Sequence, residues 1–207
     1  MSWKEQSKSK KEYLNLLKER NRRERIKFAS KGIREFGETY FPDYFTLKVP
    51  QLHKDIYKDL EFILGEVCDE GHHYSVAIPR GCAKSTILDF LFPLYTICFD
   101  LKKYILVISA SQDLANTFLG LMKEELEFNQ LLIADFGNLR GETWNAETFS
   151  TNTGIKVQAL GSGTKIRGLR NASYRPDLVI MDDLEEDEGV KPRAKEEIEG
   201  LVLQSSI

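Results

Sequence analysis

Residues 76–90 read VAIPRGCAKSTILDF: an apolar run, a turn signal at Pro79-Arg80-Gly81, and then Lys-Ser-Thr at the head of a second apolar run with helical spacing. A buried strand turning tightly into a helix that opens on Lys-Ser-Thr is the context in which a phosphate-binding loop works. Backbone N–H groups and the helix N-terminus face the phosphate oxygens there, and a lysine adds a point charge near the β- and γ-phosphates. The expected loop is Pro79, Arg80, Gly81, Cys82, Ala83, Lys84, Ser85 and Thr86, with Lys84 as that lysine and the Ser85 hydroxyl on the magnesium side. The match to the pattern GxxxxGK[ST] is imperfect. Ile78 stands where the first glycine belongs and Ala83 where the second does, so only Gly81 relaxes the turn freely. Arg80 is placed either to reach a γ-phosphate or to pair with a carboxylate of the loop.

Downstream, LVIMDD (178–183) is a short apolar strand ending in two carboxylates. A strand-end Asp182 suits a magnesium-bound water, and an adjacent carboxylate suits the attacking water, because phosphoryl transfer needs positioning and charge balance rather than covalent chemistry. The alternative is an acidic loop capping the following helix. Between the two motifs the chain alternates: strand 74–79, helix 84–99, strand 104–110, helix from Asp113 to Phe128. Such alternation predicts an α/β domain with a mostly parallel central sheet flanked by helices. Two strands are expected around Asn152-Thr153-Gly154, then a Gly-rich basic loop (161–177) carrying Arg167 and Arg170, and a last helix from Arg193 to Leu203. Those two arginines suit an arginine finger, a DNA phosphate contact or plain solvation.

Upstream, 36–50 is aromatic and interrupted by Pro42 and Pro50, so an irregular connection is expected, leading into a helix from Gln51 to Cys68. From Lys4 to Arg34 basic residues interleave with Leu14, Leu17, Ile26 and Phe28, giving an amphipathic basic helix that either packs its stripe on the domain or meets nucleic acid or a partner. The expected division is a basic helical arm at 1–35 and an ATPase domain at 36–207. With 207 residues, one core suffices. A net charge of -3 excludes a uniformly basic nucleic-acid binder. No run of about 18 apolar residues predicts a membrane span, and the polar N-terminus does not read as a secretory signal, so a cytoplasmic setting is expected. Cys68, Cys82 and Cys98 lack CxxC spacing, and His72 and His73 lack a ligand-spaced partner, so neither a zinc site nor a disulfide framework is expected.

Four segments, VPQLHKDI (49–56), PRGCAKST (79–86), IRGLR (166–170) and PDLVIMDDLEEDE (176–188), together resemble the ATPase domain of the large terminase subunit, the motor that packages DNA into tailed-phage heads. The resemblance runs from about Phe41 to the end. It implies a P-loop NTPase of the additional-strand, catalytic-glutamate class that hydrolyses ATP with Mg²⁺ to move double-stranded viral DNA into a procapsid in the host cell cytoplasm. It also implies an active homo-oligomeric ring, with a portal protein and a small terminase subunit as partners. Gln51 would contact adenine, Arg80 would be the P-loop arginine, and an arginine at Arg167 or Arg170 would act on ATP, that of a neighbouring subunit included. Where the family usually has Asp-Glu this chain has Asp182-Asp183, which opens the catalytic carboxylate to Asp183, Glu185 or Glu186, with Asp183 first. Complete large terminases also carry a ribonuclease-H-like nuclease; no room remains for it here, so the sequence reads as the N-terminal part of a longer protein. The competing expectations are a helicase-like translocase and a nucleotide-binding scaffold without turnover.

Overall fold

The segment Tyr104-Ile-Leu-Val-Ile-Ser109 is apolar at every position but its last, and only a strand covered on both faces tolerates that. It forms β1 (Tyr104–Ser109), buried throughout. The computed structural model describes residues 3–65, 71–164 and 168–184, with side chains from Asn15 onward. The other strands are β2 (Arg140–Trp144), β3 (Thr148–Thr151), β4 (Lys156–Gly161) and β5 (Leu178–Asp182), in the order β2-β3-β4-β1-β5. β1 runs parallel to both β4 and β5, whereas β3 runs antiparallel to its neighbours β2 and β4. The sheet is therefore mixed, which corrects the expectation of a mostly parallel one. The reason is connection length: three or four residues can join only antiparallel neighbours, while parallel neighbours need a long crossover.

Side chains alternate across β1. Ile105 and Val107 join the main core with Val157, Ala159, Phe149 and Ile180; Tyr104, Leu106 and Ile108 form a second cluster with Leu160, covered by Leu169 and Leu184. Each such aliphatic side chain contributes about 1.5–3 kcal/mol when fully buried, so β1 is the most strongly held element of the sheet.

Helices cover the main-core face. α5 (Gln112–Phe128) is capped by Ser111, whose hydroxyl accepts from the Leu114 N–H, and it turns Ala115, Leu119, Met122 and Leu126 inward. α6 (Gln130–Phe136) follows, capped by Asn129, whose side chain accepts from Leu131 and Leu132. Before the sheet come α1 (Trp3–Ala29), α2 (Ile33–Tyr40), a 3₁₀ turn (Pro42–Phe45) and α3 (Gln51–Gly65). Part of the expected irregular segment is thus helical. Ile33, Phe36, Gly37 and Tyr40 are buried at i, i+3, i+4 and i+7, and the Phe36 ring meets Tyr40, Phe41, Tyr95 and Phe99. Gly37 is required by close approach, since a Cβ there would run into the Phe45 ring.

Two further expectations change. Residues 74–79 place Val76 and Ile78 against the core, yet among the described residues they join no ladder, so they are not a strand of the described sheet. The expected helix from Lys84 is present, but residues Thr86–Leu91 are a π-helix that passes into α4 (Phe92–Cys98). The helix expected at 193–203 lies outside the described residues. No helix among the described residues is long and apolar enough to cross a membrane.

The basic helix does not lie free along its whole length. Arg25 donates through Nε to Asp135 Oδ2 at 2.6 Å and pairs through its second nitrogen with Oδ1. Arg22 donates to the Asp135 carbonyl at 2.6 Å, and the buried Tyr40 hydroxyl donates to Asp135 Oδ2 at 2.8 Å. The last turns of α1 are thereby fixed to the ends of α2 and α6.

Candidate functional site

The parallel strands β1, β4 and β5 end at the same edge of the sheet, with Ser109 level with both Gly161 and Asp182. In open α/β sheets that carboxyl edge is where ligands sit. Asp182 closes β5 there, 8% exposed, its backbone carbonyl held by the Ser109 hydroxyl at 3.1 Å. Residues 80–85 pass over it. Lys84 Nζ lies 2.6 Å from Asp182 Oδ1, and Ser85 Oγ donates to Asp182 Oδ2 at 3.1 Å. The lysine, the serine and the strand-end aspartate picked out by motif thus meet, although 97 residues separate Ser85 from Asp182 in the chain. The hydrogen bond to Asp182 holds the Lys84 ammonium above the usual lysine range; the charges of Asp182, Asp89 and Asp183 add to it, against the opposing effect of burial.

The turn is built for close approach. Gly81 has φ +82 with open space where a Cβ would stand, and the Cys82 N–H reaches back to the Pro79 carbonyl at 3.4 Å. Ala83 has φ 54 and Asp183, beside the site, has φ 45. Both lie in the left-handed region that favours glycine, and an aspartate tolerates it better than an alanine. Ala83 is the position where the loop pattern asks for glycine, so the strain has a direct remedy. Ala83→Gly should raise stability by about 0.5–1 kcal/mol, the relieved left-handed strain exceeding the extra entropy of the unfolded glycine. A urea midpoint below that of the wild type would contradict a positive φ at this residue.

Sequence reasoning missed His53, whose Nε2 lies 2.9 Å from the Cys82 carbonyl and ties α3 to the loop. It faces a cavity of about 210 Å³ beside the loop, lined also by Tyr44, Val49, Tyr57, Thr86 and Ile87. An apolar wall with aromatic rings and one polar edge suits a planar base. Gln51, the expected adenine contact, is exposed and donates to Asp55 at 2.8 Å; it is not part of that wall.

Asp89 was missed too. It lies four residues after Ser85 on the π-helix, 1% exposed, and among the described residues neither carboxyl oxygen has a hydrogen-bond partner. Burial pushes its carboxyl up to about 8, with facing Asp182 adding to the effect while Ser85 and Lys84 oppose it. Ser85 stands beside Asp89, but its single hydroxyl hydrogen is committed to Asp182. The signal in the sequence was an acidic residue inside the apolar run ILDFLF, where a fully buried charge needs a reason.

The remaining expected residues distribute as follows. Pro79, Arg80 and Gly81 are exposed at the turn, Cys82 and Thr86 are half-buried, and Asp183 is exposed next to Asp182. Arg170 is exposed but belongs to the opposite edge of the sheet. The neighbouring Asn171 donates to the Lys103 and Gly154 carbonyls, and Asp177 accepts from the Lys103 and Tyr104 N–H groups, all at the strand starts. From Tyr104 to Ser109 the strand rises about 3.3 Å per residue, so Arg170 is separated from Asp182 by most of the length of β1. Arg167, Glu185 and Glu186 lie outside the described residues. Compared with protein-family models, with curated proteins and with solved structures, the chain matches none.

Proposed function

We propose that this chain binds Mg-ATP on the loop 79–86 and hydrolyses it, as the ATPase of a double-stranded DNA translocating motor of the large-terminase kind. The observation that carries the nucleotide part is the convergence of Lys84 and Ser85 on Asp182 at the carboxyl edge of the sheet. The DNA-packaging part rests on the resemblance of segments 49–56, 79–86, 166–170 and 176–188. A P-loop NTPase fold belongs to the same proposal, since the mixed five-stranded sheet is compatible with it without requiring it.

Ser85 and Asp182 would hold a divalent cation, and the buried carboxyl of Asp89 beside them, without a hydrogen-bond partner among the described residues, fits a site built around positive charge. Such an ion supplies charge neutralisation on the β- and γ-phosphates. The chain's own residues supply the rest. Without nucleotide, Lys84 neutralises Asp182; triphosphate in the loop offers that ammonium a more highly charged partner, and its departure leaves Asp182 Oδ1 available. The loop N–H groups orient the phosphates. Asp183, next to Asp182 and exposed, accepts a hydrogen bond from the water that attacks the γ-phosphorus. Purine stacking would use the Tyr44 and Tyr57 cavity, with His53 coupling it to the loop. Arg170, anchored at the far edge, would act on the nucleotide of a neighbouring chain rather than its own.

Asp182→Asn tests the proposal. It removes charge from the cation side while keeping the shape, so magnesium-dependent ATP turnover should fall by one to two orders of magnitude, as expected for loss of a metal-orienting group, with nucleotide binding in EDTA largely retained. Steady-state hydrolysis and equilibrium dialysis measure the two. Unchanged turnover would reject Asp182 as the cation-side residue.

A further inference from the structure

A carboxylate sealed from water is costly unless something positive meets it. Asp89 is 1% exposed, no described residue donates to either of its oxygens, and it faces Asp182 across the Ser85 hydroxyl. Asp182 is itself already engaged, its Oδ1 by Lys84 and its Oδ2 by Ser85. The backbone adds a second sign. Asp89 sits in the π-helical segment Thr86–Leu91, a rare geometry that appears mainly at functional sites. The wider helical turn alters which side chains share the face that carries Ser85, and Asp89 is the acidic one aimed at Asp182.

We propose that Asp89 is the third oxygen-bearing side chain of a divalent-cation site, joining Ser85 and Asp182, so that the protein itself offers two carboxylates and a hydroxyl to the ion before any phosphate arrives. This rests on the nucleotide-site reading given above and goes beyond it. A loop serine and one strand-end aspartate leave a magnesium ion dependent mainly on phosphate oxygens and water. A second, buried carboxylate makes the cation bind to the protein in its own right, in competition with the Lys84 ammonium for Asp182. Two consequences follow: removing the Asp89 charge weakens the ion, and removing the competing ammonium strengthens it.

The test is a titration of nucleotide-free protein with Mn²⁺ alone, read by the loss of the free-ion signal in electron paramagnetic resonance, alongside thermal melts of each variant. Wild type should bind one Mn²⁺ per chain, Asp89→Asn should weaken it at least tenfold, and Lys84→Ala should tighten it. Asp89→Leu guards against misfolding: it replaces a buried carboxyl by an apolar group of similar size, so it should melt at or above the wild-type temperature while losing the ion. Equal Mn²⁺ affinity in wild type and Asp89→Asn, or no Mn²⁺ binding by wild type, overturns the proposal. A fluorescent ATP analogue titrated in EDTA separates the two readings: if it binds while Asp89→Asn leaves Mn²⁺ affinity unchanged, only the role of Asp89 fails. If wild type binds no nucleotide with or without metal, the nucleotide site fails and this inference with it.

Discussion

Lys84→Ala should reduce ATP turnover by on the order of 10²–10³-fold, the range seen when one donor aimed at developing charge is removed from a preorganised site. Lys84 is the one lysine of the loop, and it already lies within 2.6 Å of the strand-end carboxylate that would share the cation with the phosphates. Its loss acts twice. The phosphates lose a point charge, and Asp182 and Asp89 are left facing each other with no ammonium between strand and helix. The fold should survive, because the Lys84 side chain is 34% exposed and its stem is not part of the core. Lys84→Arg should rescue only in part, since the planar guanidinium keeps the charge but does not occupy the place of a compact ammonium. Hydrolysis rates and calorimetric ATP titrations of the three proteins measure this. An alanine variant that binds and hydrolyses ATP like wild type would remove the loop 79–86 from consideration as a phosphate site.

The parts of this site that were legible in the sequence are those set by local rules. A lysine and a serine opening a helix after a tight turn, and a carboxylate ending an apolar strand, depend on chain geometry over a few residues, and Lys84, Ser85 and Asp182 meet as that logic requires. The helix at Gln112–Phe128 and the hairpin of β3 and β4 were legible for the same reason, from periodicity and from the Asn-Thr-Gly turn. What was hidden depends on partners distant in the chain. β2 (RGETW) has no apolar alternation and exists because its backbone pairs with β3 and the Trp144 ring packs at a tilt against Phe149. Residues 74–79 have the composition of a strand, but being a strand requires a neighbour to pair with. Asp135 looks like an ordinary acidic residue in a helical run, and Asp89 shows only as one acid inside the apolar run ILDFLF; tertiary burial, 1% exposure for each, makes them decisive. Arg170 shows the converse. Its loop lies between the two site motifs in sequence, yet Asn171 and Asp177 pin that loop to the far edge of the sheet.

Asp135→Ala should cost about 3–4 kcal/mol of folding stability, a large share of the ~5–15 kcal/mol typical of a domain. The side chain is fully buried and receives Arg25 on both oxygens and the Tyr40 hydroxyl on one. Truncation would leave a buried phenol without an acceptor and a guanidinium facing an empty space, and each orphaned group carries its desolvation cost. Burial, followed by the hydrogen bond to Asp135, raises the Tyr40 phenol far above its ordinary range, so it cannot relieve the loss by ionising. The Arg25 side chain is 27% exposed and can partly rehydrate, which places the expected cost toward the lower end of the range for broken buried pairs. Asp135→Asn, which keeps an acceptor for Tyr40 but not the charge for Arg25, should cost about half as much. A double-mutant cycle with Arg25→Met should return a coupling of roughly 1–3 kcal/mol. Because Arg22 and Arg25 are held by α6, the lost stability should first appear locally, as faster amide exchange over residues 15–29 in Asp135→Ala than in wild type. That loosening would turn the basic helix from a fixed ridge into a free arm. Urea midpoints and exchange rates together decide it: an alanine variant within about 1 kcal/mol of wild type, with residues 15–29 equally protected, would mean that the apolar contacts of Ala29 and α2, not this buried pair, hold α1 to the domain.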